Sequence, residues 1–228
     1  MIDPQRDLAS VREATERLLT AVASLDNARL AAPSRLPGWS RGHVLAHLSR
    51  NADALVNVLE GRPMYESATA REKDIERDSG RQLDIQLADL HDSDALLRAV
   101  AGLPADWNRT VELRNGVTDT AARLPFRRLV EVELHHVDLD AGYELTDLPE
   151  EFVRREIGFL TERFRHHPDV PSIGLIAPDG RTWTTGGGEG GPLRAEGPAW
   201  ELMGWLAGRR DGAALTVSGG KLPTLPPL

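Results

Sequence analysis

The stretch Leu129-Val-Glu-Val-Glu-Leu-His-His-Val-Asp-Leu-Asp-Ala-Gly-Tyr143 combines helical apolar spacing with side chains that can bind metal. Its apolar residues predict a helix that is buried on much of its circumference. On that helix Glu131 and His135 are four residues apart, so they lie on one face. A carboxylate and an imidazole in this arrangement can bind one metal ion, although the same spacing is common in ordinary surface pairs. A zinc site needs at least a third ligand from another part of the chain.

A second predicted helix, from a cap at Ser40 to about Leu59, offers such a ligand. It carries His43 and His47, again four residues apart. Taken alone, this pair is better explained by one buried and one surface histidine than by metal binding. Two separate helices that each present a four-spaced ionisable pair nevertheless favour a shared metal site.

Composition restricts the classes of function. The formal net charge is −8 and the basic residues are dispersed, which argues against a nucleic-acid or anionic-membrane surface and favours a small-molecule partner. We expect a soluble cytoplasmic protein, because the sequence shows neither a signal core nor a membrane-spanning apolar run. The chain has no cysteine, so any thiol chemistry must use a sulfur from outside.

Apolar periodicity predicts four helices before about residue 147. They begin with one capped by Asp3-Pro4 and include another from about Leu83 to Val100. Residues 64–78 are polar and are interpreted as a loop or short helix. Residues 102–124 contain the turn dipeptide Asn115-Gly116 and are interpreted as an irregular segment or a small hairpin. After Gly142 short strands, turns and a glycine-rich loop at 186–191 predict a small α/β domain. The fold class is therefore α+β, with a four-helix bundle at 1–147, a small α/β domain at 148–228, and the active site expected in a cleft between them.

His47, Glu131 and His135 together would provide two histidines and one carboxylate, a ligand set that leaves a position open for water or substrate. His43, one turn earlier, is an alternative to His47. Asp138 is placed to orient the His135 ring. Zinc is the expected ion, although iron, nickel and manganese accept the same ligands.

Several motifs together carry a resemblance to a known family. They are Trp39-Ser40-Arg41 followed by His47, Pro63-Met64-Tyr65 leading to Arg71, Glu131-x-x-x-His135-x-x-Asp138, and Trp205-Leu206-Ala207-Gly208-Arg209. With these motifs the chain resembles the mycothiol-dependent maleylpyruvate isomerases, which belong to the DinB-like metal-binding bundle proteins. Two positions depart from the pattern: Glu133, where many relatives have an aromatic residue, and His136, where a smaller residue is frequent.

The resemblance implies that His47, Glu131 and His135 bind Zn²⁺ and that Arg71 and Arg209 serve the substrate or the thiol. It implies cis–trans isomerisation of maleylpyruvate to fumarylpyruvate with mycothiol as cofactor. Zinc would hold the thiol as a thiolate, which adds to the double bond, allows rotation and leaves. Arginine suits the two carboxylates of such a substrate. The rival hypotheses are a mycothiol S-transferase, a metal-dependent hydrolase, and a non-enzymatic binding protein whose metal only stabilises the bundle.

Overall fold

The computed structural model describes residues 2–103, 106–186 and 191–227. The chain forms two compact units, Met1–Tyr143 and Glu144–Leu228. Most of the glycine-rich loop expected at 186–191 lies outside the described residues. No helix in the described ranges has the length and apolar character needed to cross a membrane.

The first unit is built on a four-helix bundle. Its helices are α1 (Pro4–Val22), α3 (Arg41–Leu59), α5 (Leu83–Ala101) and α6 (Leu124–Asp138). Helices α1 and α3 each contact both α5 and α6, so the four elements close around a common apolar core. The bundle predicted from apolar periodicity is confirmed.

The helix starts follow from local chemistry. The Asp3 carboxylate accepts a hydrogen bond from the Arg6 backbone N–H, and Pro4 occupies the first turn. Ser40 caps α3, since its hydroxyl accepts from the His43 N–H and the His43 ring accepts in turn from the Ser40 N–H. This reciprocal pairing satisfies two backbone donors that a helix start otherwise leaves unpaired.

Two further helices lie in the described part of this unit, α2 (Asn27–Ala31) and α4 (Ala68–Ser79). The expectation of four helices before residue 147 was therefore too low. Residues 68–79 form a full helix where a loop or short helix was expected. Only Ile75 and Asp78 are buried along α4, so its sequence has no apolar stripe that periodicity could detect.

Helix α4 packs closely against α3. A Cβ added at Gly42 would lie 2.2 Å from the Ser79 carbonyl oxygen, so glycine is required for this approach. Arg50 of α3 also donates to the buried Asp78 carboxylate of α4 at 3.1 Å. These contacts fix α4, and with it Arg71, against the helix that carries His47.

A two-stranded hairpin connects α5 to α6. Strand β1 (Thr110–Glu112) pairs antiparallel with β2 (Thr118–Thr120) around the predicted Asn115-Gly116 turn. Both turn residues have positive φ, at 61° for Asn115 and 71° for Gly116, as expected for this dipeptide.

The second unit contains α7 (Glu150–Phe164), α8 (Ala199–Leu206) and a four-stranded sheet. The sheet order is β4 (Thr182–Thr184), β3 (Gly174–Ile176), β5 (Arg194–Glu196) and β6 (Thr216–Ser218). Strands β3 and β4 form an antiparallel hairpin, whereas β3 and β5 are parallel. The predicted α+β class is confirmed.

Candidate metal site

Three potential metal ligands converge inside the bundle. The Oε2 atom of Glu131 lies 2.9 Å from His47 Nε2 and 3.2 Å from His135 Nε2. The ligand atoms offered by the three residues all lie within 4.8 Å of one another. Helix α3 contributes one ligand and α6 contributes two, because the four-residue spacing puts Glu131 and His135 on the same face.

The geometry and the donor types fit a divalent metal. Two ligands bound tetrahedrally to zinc at about 2.0–2.1 Å lie roughly 3.3 Å apart, close to the two separations found here. Two imidazoles and one carboxylate form the ligand set of open zinc sites, in which a fourth position remains available. His47 and His135 would therefore bind through Nε2 and Glu131 through a carboxylate oxygen.

The environment of His135 favours metal binding. Asp138 Oδ2 lies 2.9 Å from His135 Nδ1, and the Asp138 side chain is 1% exposed. A buried carboxylate accepting from Nδ1–H fixes a proton on that nitrogen and turns Nε2, the atom that would bind a metal, toward Glu131. The contact expected between Asp138 and the His135 ring is therefore present.

His47 makes a contact that metal binding would change. The NH2 group of Arg71 lies 3.1 Å from His47 Nδ1. A guanidinium can only donate hydrogen bonds, so in this pairing Nδ1 accepts and the ring proton is on Nε2. Binding a metal through Nε2 requires the opposite tautomer, with the proton on Nδ1. Arg71 would thus have to move away from the ring when the metal binds.

Two aromatic side chains lie beside this pair, Tyr65 against Arg71 and Trp39 against His47. The guanidinium carbon of Arg71 is 5.8 Å from the centroid of the Tyr65 ring. The Trp39 ring centroid is 5.6 Å from that of His47. Neither aromatic residue was expected to act at the site, although both occur in the motifs that carry the family resemblance.

The alternative ligand His43 is held elsewhere. Its Nδ1 is 2.7 Å from the Ser40 hydroxyl, and its Nε2 is 3.2 Å from Glu76 Oε2 on α4. The structure therefore brings His47, and not His43, to Glu131 and His135.

Electrostatics keep two of the three groups in the protonation state that a ligand needs. Burial lowers the pKa of His47 to about 4, so this ring is neutral near pH 7. Burial acts to raise the pKa of Glu131, but hydrogen bonds with His135 and His47 outweigh it and hold the pKa well below its usual value. For His135, burial is outweighed by hydrogen bonds to Asp138 and Glu131, which raise its pKa. A metal ion would have to displace the proton on His135.

A buried arginine helps to fix the spacing of the two ligand helices. Arg128, one turn before Glu131 on α6, is 1% exposed. It donates to the Leu48 carbonyl oxygen at 2.8 Å and to Asn51 Oδ1 at 2.9 Å, both on α3. These bonds join α6 to the turn that follows His47. No sequence pattern predicts this role, because the acceptors are distant along the chain.

Arg209 lies in the second unit, directly after α8. Its NH1 group donates to the Ala207 carbonyl oxygen at 2.7 Å. With Trp205 and the C-terminal segment it lines a cavity of about 490 Å³. Of the two arginines expected to serve the substrate or the thiol, the structure places Arg71 at the histidine–glutamate cluster.

A four-helix bundle with two histidines and one carboxylate facing inward defines a class of proteins that build metal sites in the bundle core. Comparison with known families is more specific. The model for the mycothiol maleylpyruvate isomerase N-terminal domain matches residues 11–140, and that for the MDMPI C-terminal domain matches residues 147–227. The chain therefore belongs to the mycothiol maleylpyruvate isomerase family.

Solved structures agree with this assignment. The chain resembles a crystal structure of the mycothiol-dependent maleylpyruvate isomerase with a TM-score of 0.89 and 26% identity, covering 99% of this chain and 97% of the other. A histidine-to-alanine mutant of that enzyme gives the same values. A search of curated protein sequences finds no significant match.

Proposed function

We propose that this protein catalyses the mycothiol-dependent cis–trans isomerisation of maleylpyruvate to fumarylpyruvate, with one zinc ion held by His47, Glu131 and His135. The observation that carries the proposal is the convergence of these three ligands in a chain whose two halves both match the isomerase family. The open fourth position of such a site leaves room for a reactant.

The bound zinc would lower the pKa of a coordinated thiol, so that the thiolate is available at neutral pH. The residues of the chain prepare that site. Asp138 orients the His135 ring, Glu131 supplies negative charge, and burial keeps His47 neutral. The chain itself contains no cysteine, so the thiol must be a separate small molecule.

The reaction needs no oxidant and no net proton transfer. The thiolate sulfur adds to one carbon of the double bond, and the electron pair moves onto the conjugated carbonyl oxygen as an enolate. The former double bond is then single and rotates. Collapse of the enolate restores the double bond in the trans geometry and expels the thiolate. A site for this sequence must hold two carboxylates and stabilise the charge of the enolate.

We assign the contacts with substrate or thiol to Arg71 and Arg209. Arg71 is supported by its position 3.1 Å from His47 Nδ1, which places a guanidinium beside the metal ligands. Arg209 is supported by the family motif Trp205-Leu206-Ala207-Gly208-Arg209 alone. Alanine at either position should lower kcat/KM for maleylpyruvate at least tenfold with unchanged zinc content. Arg154→Ala, at an exposed position of α7, is the matched control.

The test of the proposed function follows maleylpyruvate spectroscopically at matched zinc loading, with and without mycothiol. The proposal predicts fumarylpyruvate only when the thiol is present. Isomerisation without thiol would exclude the nucleophilic role of mycothiol. A stable thiol adduct without trans product would instead identify an S-transferase, and thiol-independent hydrolysis would identify a metal-dependent hydrolase.

The cytoplasmic location expected from the sequence is part of this proposal. The reaction consumes no thiol but requires it in reduced form, and the cytosol keeps small thiols reduced.

A further inference from the structure

Within the described residues, the guanidinium of Arg71 forms no ion pair with a carboxylate. Its polar and aromatic contacts there are with His47 Nδ1, at 3.1 Å, and with the Tyr65 ring, whose centroid lies 5.8 Å from the guanidinium carbon. Arg71 is partly buried. An arginine in such surroundings is usually fixed by a carboxylate, whose two oxygens match the guanidinium fork. Arg71 must therefore be fixed in another way.

The two contacts of Arg71 respond differently to metal binding at His47. Binding through Nε2 puts the ring proton on Nδ1, and a guanidinium cannot accept that proton in a hydrogen bond. The contact with His47 is then lost, whereas the contact with Tyr65 involves no metal ligand. An arginine side chain has several rotatable bonds, so a guanidinium without a partner samples many positions. Tyr65 is thus the remaining side chain that can determine where the guanidinium stays.

Local structure places Tyr65 and Arg71 on either side of the start of α4. The Ser67 carbonyl oxygen accepts from the Arg71 backbone N–H at 3.2 Å, which puts Arg71 in the first turn of the helix. Met64, next to Tyr65, packs against a buried apolar cluster of the first unit. The backbone positions of the two residues are therefore set by separate contacts, and their side chains meet across the helix start.

Tyr65 holds a cation without neutralising it. Burial raises the pKa of the Tyr65 hydroxyl, and the charge of Arg71 together with a hydrogen bond from Arg71 offsets only part of this effect. The phenol is therefore neutral near pH 7. Because a guanidinium only donates, the phenol oxygen is the acceptor of that bond. Beside a carboxylate the charge of Arg71 would be compensated, whereas beside a neutral phenol it remains available to an anion.

We propose that Tyr65 is a positioning residue that holds the Arg71 guanidinium beside the metal ligands in the zinc-loaded enzyme. The aromatic ring and the phenol oxygen fix the guanidinium without a countercharge, so its charge remains available to an anionic reactant. The inference rests on the proposed function, which assigns Arg71 to the substrate or the thiol. It gives Tyr65 a role that is exerted through Arg71 and requires no contact of its own with a reactant.

The kinetic test is a double-mutant cycle at matched zinc loading and saturating mycothiol. Tyr65→Leu removes both contacts and should lower kcat/KM for maleylpyruvate about fivefold or more, whereas Tyr65→Phe keeps the ring and should lose about threefold. In an Arg71→Ala background either substitution should change kcat/KM less than about twofold, because Tyr65 acts through Arg71.

Glu66→Gln, at the exposed position next to Tyr65, is the control and should keep the wild-type kcat/KM. Thermal unfolding verifies that each variant folds, and Tyr65→Phe carries the cycle if Tyr65→Leu does not fold. Losses of equal size in both backgrounds, or an unchanged kcat/KM in the Tyr65 variants, would overturn the inference. A residue that only stabilises the fold would act regardless of Arg71.

A measurement of side-chain order separates this inference from the proposed function. In the zinc-loaded wild-type protein, the heteronuclear ¹⁵N NOE of Arg71 Nε should report an ordered side chain. Tyr65→Leu should lower it toward the value of the exposed Arg154. If Tyr65 orders Arg71 in this way but the protein does not isomerise maleylpyruvate, the proposed function fails and the positioning role stands. If the enzyme is active and Tyr65→Leu leaves the NOE of Arg71 unchanged, the positioning role is wrong.

Discussion

Replacing Asp138 tests how the protein prepares His135 for metal binding. The Asp138 carboxylate is 1% exposed and accepts from His135 Nδ1 at 2.9 Å. Loss of such a partner typically weakens metal binding tenfold to a hundredfold, which corresponds to about 1.4–2.8 kcal/mol. Asp138→Asn keeps an acceptor oxygen of the same reach but removes the charge, so we expect a loss near tenfold. Asp138→Ala leaves a buried N–H without its acceptor, so we expect a loss near a hundredfold.

The assay is competition for zinc with a chromophoric chelator at pH 7. Asp140→Asn provides the control, because Asp140 is on the same chain segment but pairs with Arg35 at 2.9 Å and does not contact His135. Asparagine also tolerates the positive φ of 52° at this position. Zinc affinity in Asp138→Ala within twofold of the wild-type value would refute the orienting role.

Three other predictions concern pH, Arg71 and Glu133. Hydrogen bonds raise the pKa of His135 despite its burial, whereas burial lowers the pKa of His47 to about 4. Zinc affinity should therefore fall up to tenfold per pH unit as the pH drops below the His135 pKa. In that pH range, calorimetry in buffers of different ionisation enthalpy should detect one proton released on zinc binding. Arg71→Ala removes the hydrogen-bond donor at His47 Nδ1, so zinc affinity measured by chelator competition should equal or exceed the wild-type value. A tenfold loss of affinity would contradict the inference that Arg71 holds His47 in the tautomer that cannot bind metal through Nε2. Burial raises the pKa of Glu133 above its usual value, so the folded state holds this proton more tightly and stability falls as pH rises from about 4.5 through the folded-state pKa. Glu133→Gln should reduce that slope in urea unfolding at pH 5 and 7, and an unchanged slope would exclude the effect.

Sequence patterns predicted those parts of the fold that local chemistry controls. The Ser40 cap, the Asp3-Pro4 helix start and the Asn115-Gly116 turn depend on residues within a few positions of one another. The four bundle helices could be recognised because each has an apolar stripe. Helix α4 could not, since it rests on α3 through a glycine contact and an ion pair instead of an apolar face.

The same contrast between local and long-range contacts applies to the candidate site. The spacing of Glu131 and His135 predicts a shared face, and a bundle predicts that a histidine on another helix can meet them. The choice of His47 over His43 depends on how α3 is rotated and on Glu76, which lies on a helix that the sequence pattern did not reveal. The contact between Arg71 and His47 Nδ1 depends on the same helix. The sequence shows which side chains can bind metal, but it does not show how helices distant along the chain are placed against one another.

The central claim is that one divalent metal is held by His47, Glu131 and His135. The most direct measurement is the metal content of purified wild-type, His47→Ala and His43→Ala proteins by plasma emission spectrometry after loading with zinc and desalting. We expect about one zinc per chain in the wild-type and His43→Ala proteins, and almost none in His47→Ala. Loss of zinc from the His43→Ala protein alone, or full retention in His47→Ala, would contradict the account.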